Sequence, residues 1–402
     1  MFWGFGVAFH SLEAIVPLFL ATLNAPKIVV GSVAGVFIIG MAIPQIFSAF
    51  YGSRIRNLKL ATVLIHMLLL PPIFTAGFVF AFMGPHGPNA WIFYYICYIL
   101  FTLGVGIVLP IWADFLETVH LAERRGSFFG ISFAGSSVAG FVGGFVVNRL
   151  IDKPDPIPYI GIGFLIYAVC ILGAILLFIP YRSRPRPVSE RAHSFTQFTT
   201  VLKGIMKTDH NFRNYILSRI ILTANYAAIP LYAVHAQDKL DFHISEAGIF
   251  TALMVAASGF SSFLAGRIGD RFGHKHAMAI SFLAYLGALI SALLAETLWH
   301  AYLIFVFMGV GKGGFMTSAM SLVYEFAGDK DKKIYFALID TLTAPFVLIA
   351  ILLSGLFIST GSIPPVLIVI GFILIAGILA LIFLTKEPRT LREVPIPREP
   401  IS

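Results

Sequence analysis

Glu13, Arg219, Lys312 and Asp340 are charged residues set inside long apolar runs, two acids against two bases. Each costs about 3 kcal/mol or more at the centre of a bilayer unless it is paired or hydrated. A marginally stable fold cannot easily carry four such costs, so these residues must meet partners or line a wet cleft. The chemistry they suit is the handling of ions. His10 and Glu13 are spaced i, i+3, which puts both on one face of a continuous helix, with Pro17 further along it. A carboxylate beside an imidazole can carry a proton near neutral pH, and Glu13 and His10 are the expected proton-coupling pair. Two such ligands, with no Cys beside them, are too few for a metal site. Neither a metal nor any other cofactor is expected.

Lys312 stands in GVGKGGFMTS, with Gly309, Gly311, Gly313 and Gly314 around it. The string is not a phosphate-binding loop: no Gly stands five residues before Gly311, and neither Ser nor Thr follows the lysine. The glycines leave room for a ligand, bend the helix, or pack it against a neighbour. An ammonium in a wet membrane cleft is an anion site; the alternative is a salt bridge to Glu13 and nothing more. Arg219 has three readings open: it reaches the membrane surface, pairs with Asp340, or touches substrate. Tyr98 and Asn225, together with Tyr94, Thr102, Tyr226 and Tyr232, can supply hydrogen bonds to a solute, although some tyrosines serve as interfacial anchors. The substrate-binding set is Lys312, Arg219, Tyr98 and Asn225.

The elements that carry these residues follow from composition. Of 402 residues, 58% are hydrophobic and 12% charged, and the mean hydropathy is +0.88. A soluble domain cannot hide that much apolar surface, so the chain reads as an all-α integral membrane protein. Apolar runs at about 2–23, 28–52, 60–83, 90–116, 126–147, 159–181, 213–236, 245–266, 277–297, 301–325, 334–359 and 364–385 make twelve transmembrane helices. They are too long and too uniformly apolar for a β-barrel. The opening segment lacks the basic start and cleavage site of a signal peptide, and reads as the first spanning helix. Cys97 and Cys170 both lie in apolar runs, so no disulfide framework is indicated.

With the N-terminus placed inside, only Lys27, Arg149, Lys153 and Lys239 fall on outer loops; every other loop or tail Lys and Arg falls inside. That asymmetry predicts both termini in the cytoplasm, and it accounts for the net charge of +8 without nucleic acid. Glu13 and Lys312 then lie about halfway across. Arg219 and Asp340 lie about six residues from the inner ends of their runs, roughly 9 Å deep at 1.5 Å per residue. The longest inner loop divides the chain into residues 1–181 and 213–385, each with six helices. That loop, 182–212, is a linker that begins Pro- and Arg-rich and ends in an amphipathic stretch, FTQFTTVLKGIMK. Residues 386–402 form a cytoplasmic tail. The halves echo one another: GSRIRNLK (52–59) corresponds to GRIGDRFGHK (266–275), and FLETVHLAERRGSFFG (115–130) to VYEFAGDKDKKIYFAL (323–338), at nearly equal offsets. The pattern is that of a duplicated, pseudo-symmetric six-helix bundle. Ser132, Ser136, Gly140 and Gly144, and likewise Gly248, Ala252 and Ala256, recur every four residues and read as helix-packing seams.

GRIGDRFGHK carries Gly266, Asp270, Arg271, Gly273 and Lys275 at the spacing of an inner-loop motif, with His274 in the ninth position. In this motif, and in its six-plus-six division, the chain resembles the major facilitator superfamily. The resemblance implies two six-helix bundles that rock about a central site lined by the first, fourth, seventh and tenth helices. The first-half copy keeps Gly52 but has Arg56 where the acid belongs. FTLGVGIVLP (101–110) lacks the arginine, and GFVGG (140–144) the proline, of the family's drug/proton antiporters. The five motif residues, with Glu117, Arg125, Glu325 and Asp340, are the expected gate. Asp270 can cap a helix or pair with a base only when the inner side is closed, which biases one state over the other.

The expected function is secondary active transport of a small, anionic solute by alternating access, coupled to protons. The protein would work as a monomer in a bacterial inner membrane, with the solute, the proton and the lipid bilayer as its partners. Export of lipophilic drugs or lipids is the alternative within transport, and a non-transporting membrane sensor the alternative outside it. No nucleophile–base set or cofactor motif points to an enzyme.

Overall fold

The computed structural model describes residues 1–52, 55–84, 87–119, 125–181, 203–328, 332–360 and 362–388. Most of the expected linker, the tail beyond 388, and the side chains of Glu117 and Arg125 lie outside the described residues. Every regular element among the described residues is helical. Lipid offers backbone amides no partners, so a spanning segment must satisfy its own hydrogen bonds. Ten helical segments are long and apolar enough to cross a membrane, from Phe2–Thr22 to Ile363–Leu384. Shorter apolar stretches, Val33–Gln45 and Gly135–Ile151, lie in two further helices, Val33–Gly52 and Arg125–Ile151. All twelve apolar runs of the sequence are thus helical over described residues.

Two of the segments are interrupted. The first runs as Phe2–Val7 with a short 3-10 turn to His10, and resumes at Ile15–Thr22. The seventh runs as His210–Leu222 and Asn225–Leu240. By contrast Leu298–Ala327, which carries Lys312, is one unbroken helix. Its glycines bring it against neighbours. A Cβ on Gly309 would meet the Met254 carbonyl oxygen at 2.3 Å, and one on Gly313 the Ser258 carbonyl oxygen at 2.0 Å. Gly311 faces the Tyr285 ring and Gly314 the Ser281 hydroxyl. The glycine cluster is a packing seam, neither a bend nor an empty space.

The N-terminal part (residues 1–181) meets the C-terminal part (203–388) most closely where the Arg125–Ile151 helix crosses Glu246–Phe272. A Cβ on Gly144 would lie 2.5 Å from the Gly248 carbonyl oxygen, and one on Gly248 would lie 2.3 Å from the Asn148 backbone nitrogen. Beyond this crossing, the same end of the molecule is sealed by polar contacts. Asn148 Nδ2 donates to the Ser245 carbonyl (3.0 Å), His243 Nε2 lies 3.0 Å from the Lys153 carbonyl oxygen, and Lys27 pairs with Asp238 at 3.9 Å. Farther along, Gly355 packs on Ile28 and Gly35 on Ile351. The end bearing residues 23–27, 152–156 and 238–244 is therefore closed.

At the opposite end, Gly273 adopts φ +100°, a conformation that glycine takes without strain. A Cβ there would also strike the Glu387 carboxylate, 2.2 Å away. Glu387 Oε2 accepts from the Lys275 backbone N–H (3.1 Å), and Lys275 Nζ donates to the carbonyls of Ile382 (3.1 Å) and Thr385 (3.0 Å). A cation thus caps the C-terminus of Ile363–Leu384. Lys275→Ala is expected to lower Tm in detergent by the equivalent of about 1–2 kcal/mol, since it removes two charged hydrogen bonds at a half-buried site. An unchanged Tm would show that the helix end holds itself. Asp270 and Glu325 converge on His274, whose Nε2 lies 3.7 Å from Asp270 Oδ1 and 3.8 Å from Glu325 Oε1. Arg271 lies over the Phe272 ring, its guanidinium carbon 5.2 Å from the centroid. Gly266 stands in the last turns of its helix with little around it: a Cβ would first meet the Thr317 methyl, at 3.9 Å.

Candidate functional site

The site begins at the break in the first segment. Ser11 is extended (φ −69°, ψ 131°), and Ala14 is also outside helical geometry (φ −135°, ψ −65°). Ser11 Oγ caps the restart by accepting the Ile15 N–H at 3.0 Å. It also lies 2.9 Å from Thr251 Oγ1 in the C-terminal part. The Thr251 hydroxyl proton goes to the Ala247 carbonyl at 2.8 Å, so Ser11 is the donor in the Ser11–Thr251 bond. One serine therefore both allows the interruption and ties it across the molecule.

The interruption sends His10 and Glu13 in different directions. His10 is buried among Tyr94, Tyr98, Phe101, Phe164 and Tyr167, with ring centroids 5.3–6.2 Å away. Its Nε2 lies 2.9 Å from the Tyr94 hydroxyl. Glu13 turns instead toward the C-terminal part, where Oε1 accepts from Lys312 Nζ at 2.5 Å. The i, i+3 face expected of these residues requires an unbroken helix, and between His10 and Ile15 there is none. The Glu13 side chain is 13% exposed and that of Lys312 45%. The lysine is thus the more exposed member of the pair. Because Glu13 and Lys312 belong to different parts of the molecule, their ion pair spans the interface at its middle.

The second interruption positions the other cation. Thr223 ends its helix by donating to the Ile220 carbonyl (2.6 Å), and Asn225 starts the next. Arg219 lies one turn before the break, with its guanidinium carbon 4.3 Å from the centroid of Phe315. Arg219, Asn225, Tyr226, Phe282, Tyr285 and Phe315 surround a cavity of about 20 Å³. That is room for about one water molecule. Arg219 Nε and Nη1 and Asn225 Oδ1 are buried without a hydrogen-bond partner. Asp340 is exposed and interacts with Arg219 electrostatically.

The fold thus brings Glu13 to Lys312, and Arg219 to Asn225 with Asp340 nearby. Tyr98 goes elsewhere: it is buried, and its hydroxyl donates to the Val33 carbonyl at 2.7 Å. Sequence reasoning passed over Ser11 and Thr251, which no spacing links, and Phe282 and Tyr285, whose helix was not expected to line the site. Phe315 carried a usable signal, since it stands at i+3 from Lys312.

A sequence model described as Major Facilitator Superfamily matches residues 215–401. Similarity over much of the chain extends to YcaD of Salmonella dublin, described as an uncharacterized MFS-type transporter. It is 26% identical over 290 residues, 70% of this chain and 68% of the relative. Residues 215–401 thus carry the sequence pattern of the major facilitator superfamily, and the chain is similar to transporters described as of that type. The chain is a multi-pass membrane protein whose fold matches that of solved transporters along nearly its whole length. A mutant of the nucleoside transporter NupG aligns with TM-score 0.74 and 13% identity, over 96% of this chain and 98% of that one. A D-xylose-proton symporter aligns with TM-score 0.70 and 15% identity, over 96% of each chain. At such identities the likeness speaks for the fold.

Proposed function

We propose that this chain is a proton-coupled secondary transporter of a small anionic solute, working by alternating access between two six-helix bundles, residues 1–181 and 213–385. Both termini face the cytoplasm of a bacterial inner membrane, and the working unit is the monomer. The observation that carries this reading is the Glu13–Lys312 ion pair. It joins the two bundles at mid-depth, and its lysine is the more exposed partner, which this reading assigns to the transport cleft. The two helix interruptions, at residues 11–14 and 223–224, occupy corresponding positions of the two halves, as expected of parallel repeats that share a central site.

The coupling follows from charge balance. While Glu13 is ionised it occupies the Lys312 ammonium. A proton on Glu13 neutralises the acid and frees the ammonium for an anion in the cleft. The unpaired cation is costly at that depth, so proton and anion stabilise each other's binding, and the loaded site is close to neutral. The closed end described above is the outer end in this orientation, and the cleft opens inward. Asp270 and Glu325, now held on His274, belong to the gate that closes the inner end. Solved proteins of this fold include a proton symporter, which supports the coupling ion. The anionic character of the solute rests on Lys312.

The test is uptake into proteoliposomes. An imposed pH gradient, acid outside, is expected to drive accumulation of members of an organic-anion panel above the concentration outside, and a protonophore to abolish it. Accumulation of amphiphilic cations or lipids alone, at a rate indifferent to Lys312, would overturn the reading in favour of an exporter.

A further inference from the structure

Arg219 is a charged donor in an unusual position. Its guanidinium face rests on Phe315, and two of its nitrogens, Nε and Nη1, are buried with nothing to receive their protons. Asp340 acts on the charge electrostatically, yet neither nitrogen gains a hydrogen bond from it. Leaving ionised donors buried and unmatched costs several kcal/mol per group in a protein interior, a cost that an acceptor entering the cavity would remove. The enclosed space of about 20 Å³ seats one small polar group; the body of any ligand must lie at the mouth. Beside the cavity stand the rings of Tyr226, Phe282, Tyr285 and Phe315. Flat aromatic faces favour a flat, conjugated partner over an aliphatic one of equal size. A guanidinium matches the planar oxygens of a carboxylate.

We infer that the Arg219 cavity is a second anion subsite, and that the transported solute is an aromatic carboxylate whose carboxylate enters the cavity while its ring lies among Tyr226, Phe282, Tyr285 and Phe315. This inference rests on the transport reading above and narrows its substrate class. Unlike Lys312, Arg219 forms no ion pair with a carboxylate among the described residues; Asp340 acts on it only electrostatically. The subsite is therefore ready whatever the protonation of Glu13.

Benzoate serves as the probe, with cyclohexanecarboxylate, benzamide and acetate as controls, and binding to the purified protein is read by thermal shift. Benzoate is expected to raise Tm by several degrees at saturation. Cyclohexanecarboxylate and acetate should act at least tenfold more weakly in apparent affinity, and benzamide not at all. Arg219→Gln is expected to weaken benzoate at least tenfold. Phe315→Leu, which keeps an apolar side chain and so protects against a mere folding defect, should reduce the preference for benzoate over cyclohexanecarboxylate. Equal stabilisation by all three carboxylates, or benzoate binding indifferent to Arg219→Gln, would overturn the inference. The two readings fail separately. Proton-driven anion uptake with no dependence on Arg219 sinks the subsite alone. Arg219-dependent benzoate binding without proton-driven uptake sinks the transport mechanism and leaves the subsite.

Discussion

Lys312→Ala abolishes uptake, by at least 100-fold, in a protein that still reaches the membrane and keeps its Tm to within a few degrees. That is the expected result, and both halves of it follow from the geometry. A 100-fold loss corresponds to about 2.7 kcal/mol, the size expected when a cation that faces an anionic solute at mid-depth is deleted. The fold survives because the Lys312 side chain is 45% exposed. Glu13→Gln should behave differently. Glutamine copies the shape of the protonated acid and leaves Lys312 permanently free. Exchange of labelled for unlabelled solute then continues, while accumulation driven by a pH gradient is lost. The double variant Glu13→Gln/Lys312→Ala regains any stability lost by the singles and regains no uptake. If Glu13→Gln still accumulates solute against its gradient, the proton travels by another route and Glu13 is a structural counter-ion.

Gly248→Val is expected to have the next largest effect, on conformation. Its Cβ would lie 2.3 Å from the Asn148 nitrogen and 2.4 Å from the Gly144 carbonyl oxygen. Both are backbone atoms of a helix, which cannot rotate aside as a side chain would. The two helices must separate, and overpacking of this kind costs about 1–3 kcal/mol. Charged against the state in which this end is closed, that cost shifts the conformational balance by roughly 5- to 150-fold. Lys27→Cys with Asp238→Cys measures the shift, because the native side chains lie 3.9 Å apart across the closed end. The native Cys97 and Cys170 are buried and interfere little. Crosslinking should fall sharply when Gly248→Val is added, and also with Gly144→Ala, whose methyl would meet the Gly248 carbonyl oxygen at 2.5 Å. Undiminished crosslinking would mean that the Arg125–Ile151 and Glu246–Phe272 helices do not close this end.

The helices, the family and the identity of the interior charges were legible in the chain because each is written locally. Twenty apolar residues in a row have one solution in lipid, a helix, and all twelve runs are helical over described residues. GRIGDRFGHK is a local string. Four interior charges announce themselves by composition alone, since nothing but function or pairing maintains them in a membrane. Which charge meets which was not written locally. Depth along the runs set Glu13 level with Lys312 and Arg219 level with Asp340 as candidate pairs, but only the packing brings Glu13 onto Lys312, 299 positions away.

Tertiary structure also decided where the glycines and His10 belong. GVGKGG allowed a bend, a pocket or a seam, and only the approach of the Met254 and Ser258 carbonyls selects the seam. His10 and Glu13 share a face on any helical wheel. Ser11, however, prefers to cap Ile15 and bond Thr251, a long-range gain that outweighs the lost helical turn. The sequence by itself thus determined a twelve-run helical chain of one transporter family, with ions in its interior. The three-dimensional packing determined that two of those helices break, that Glu13 faces Lys312, and that Arg219 is left with unmatched donors. Propensity and hydropathy act over a few residues, whereas ion pairing and helix crossing depend on segments hundreds of residues apart.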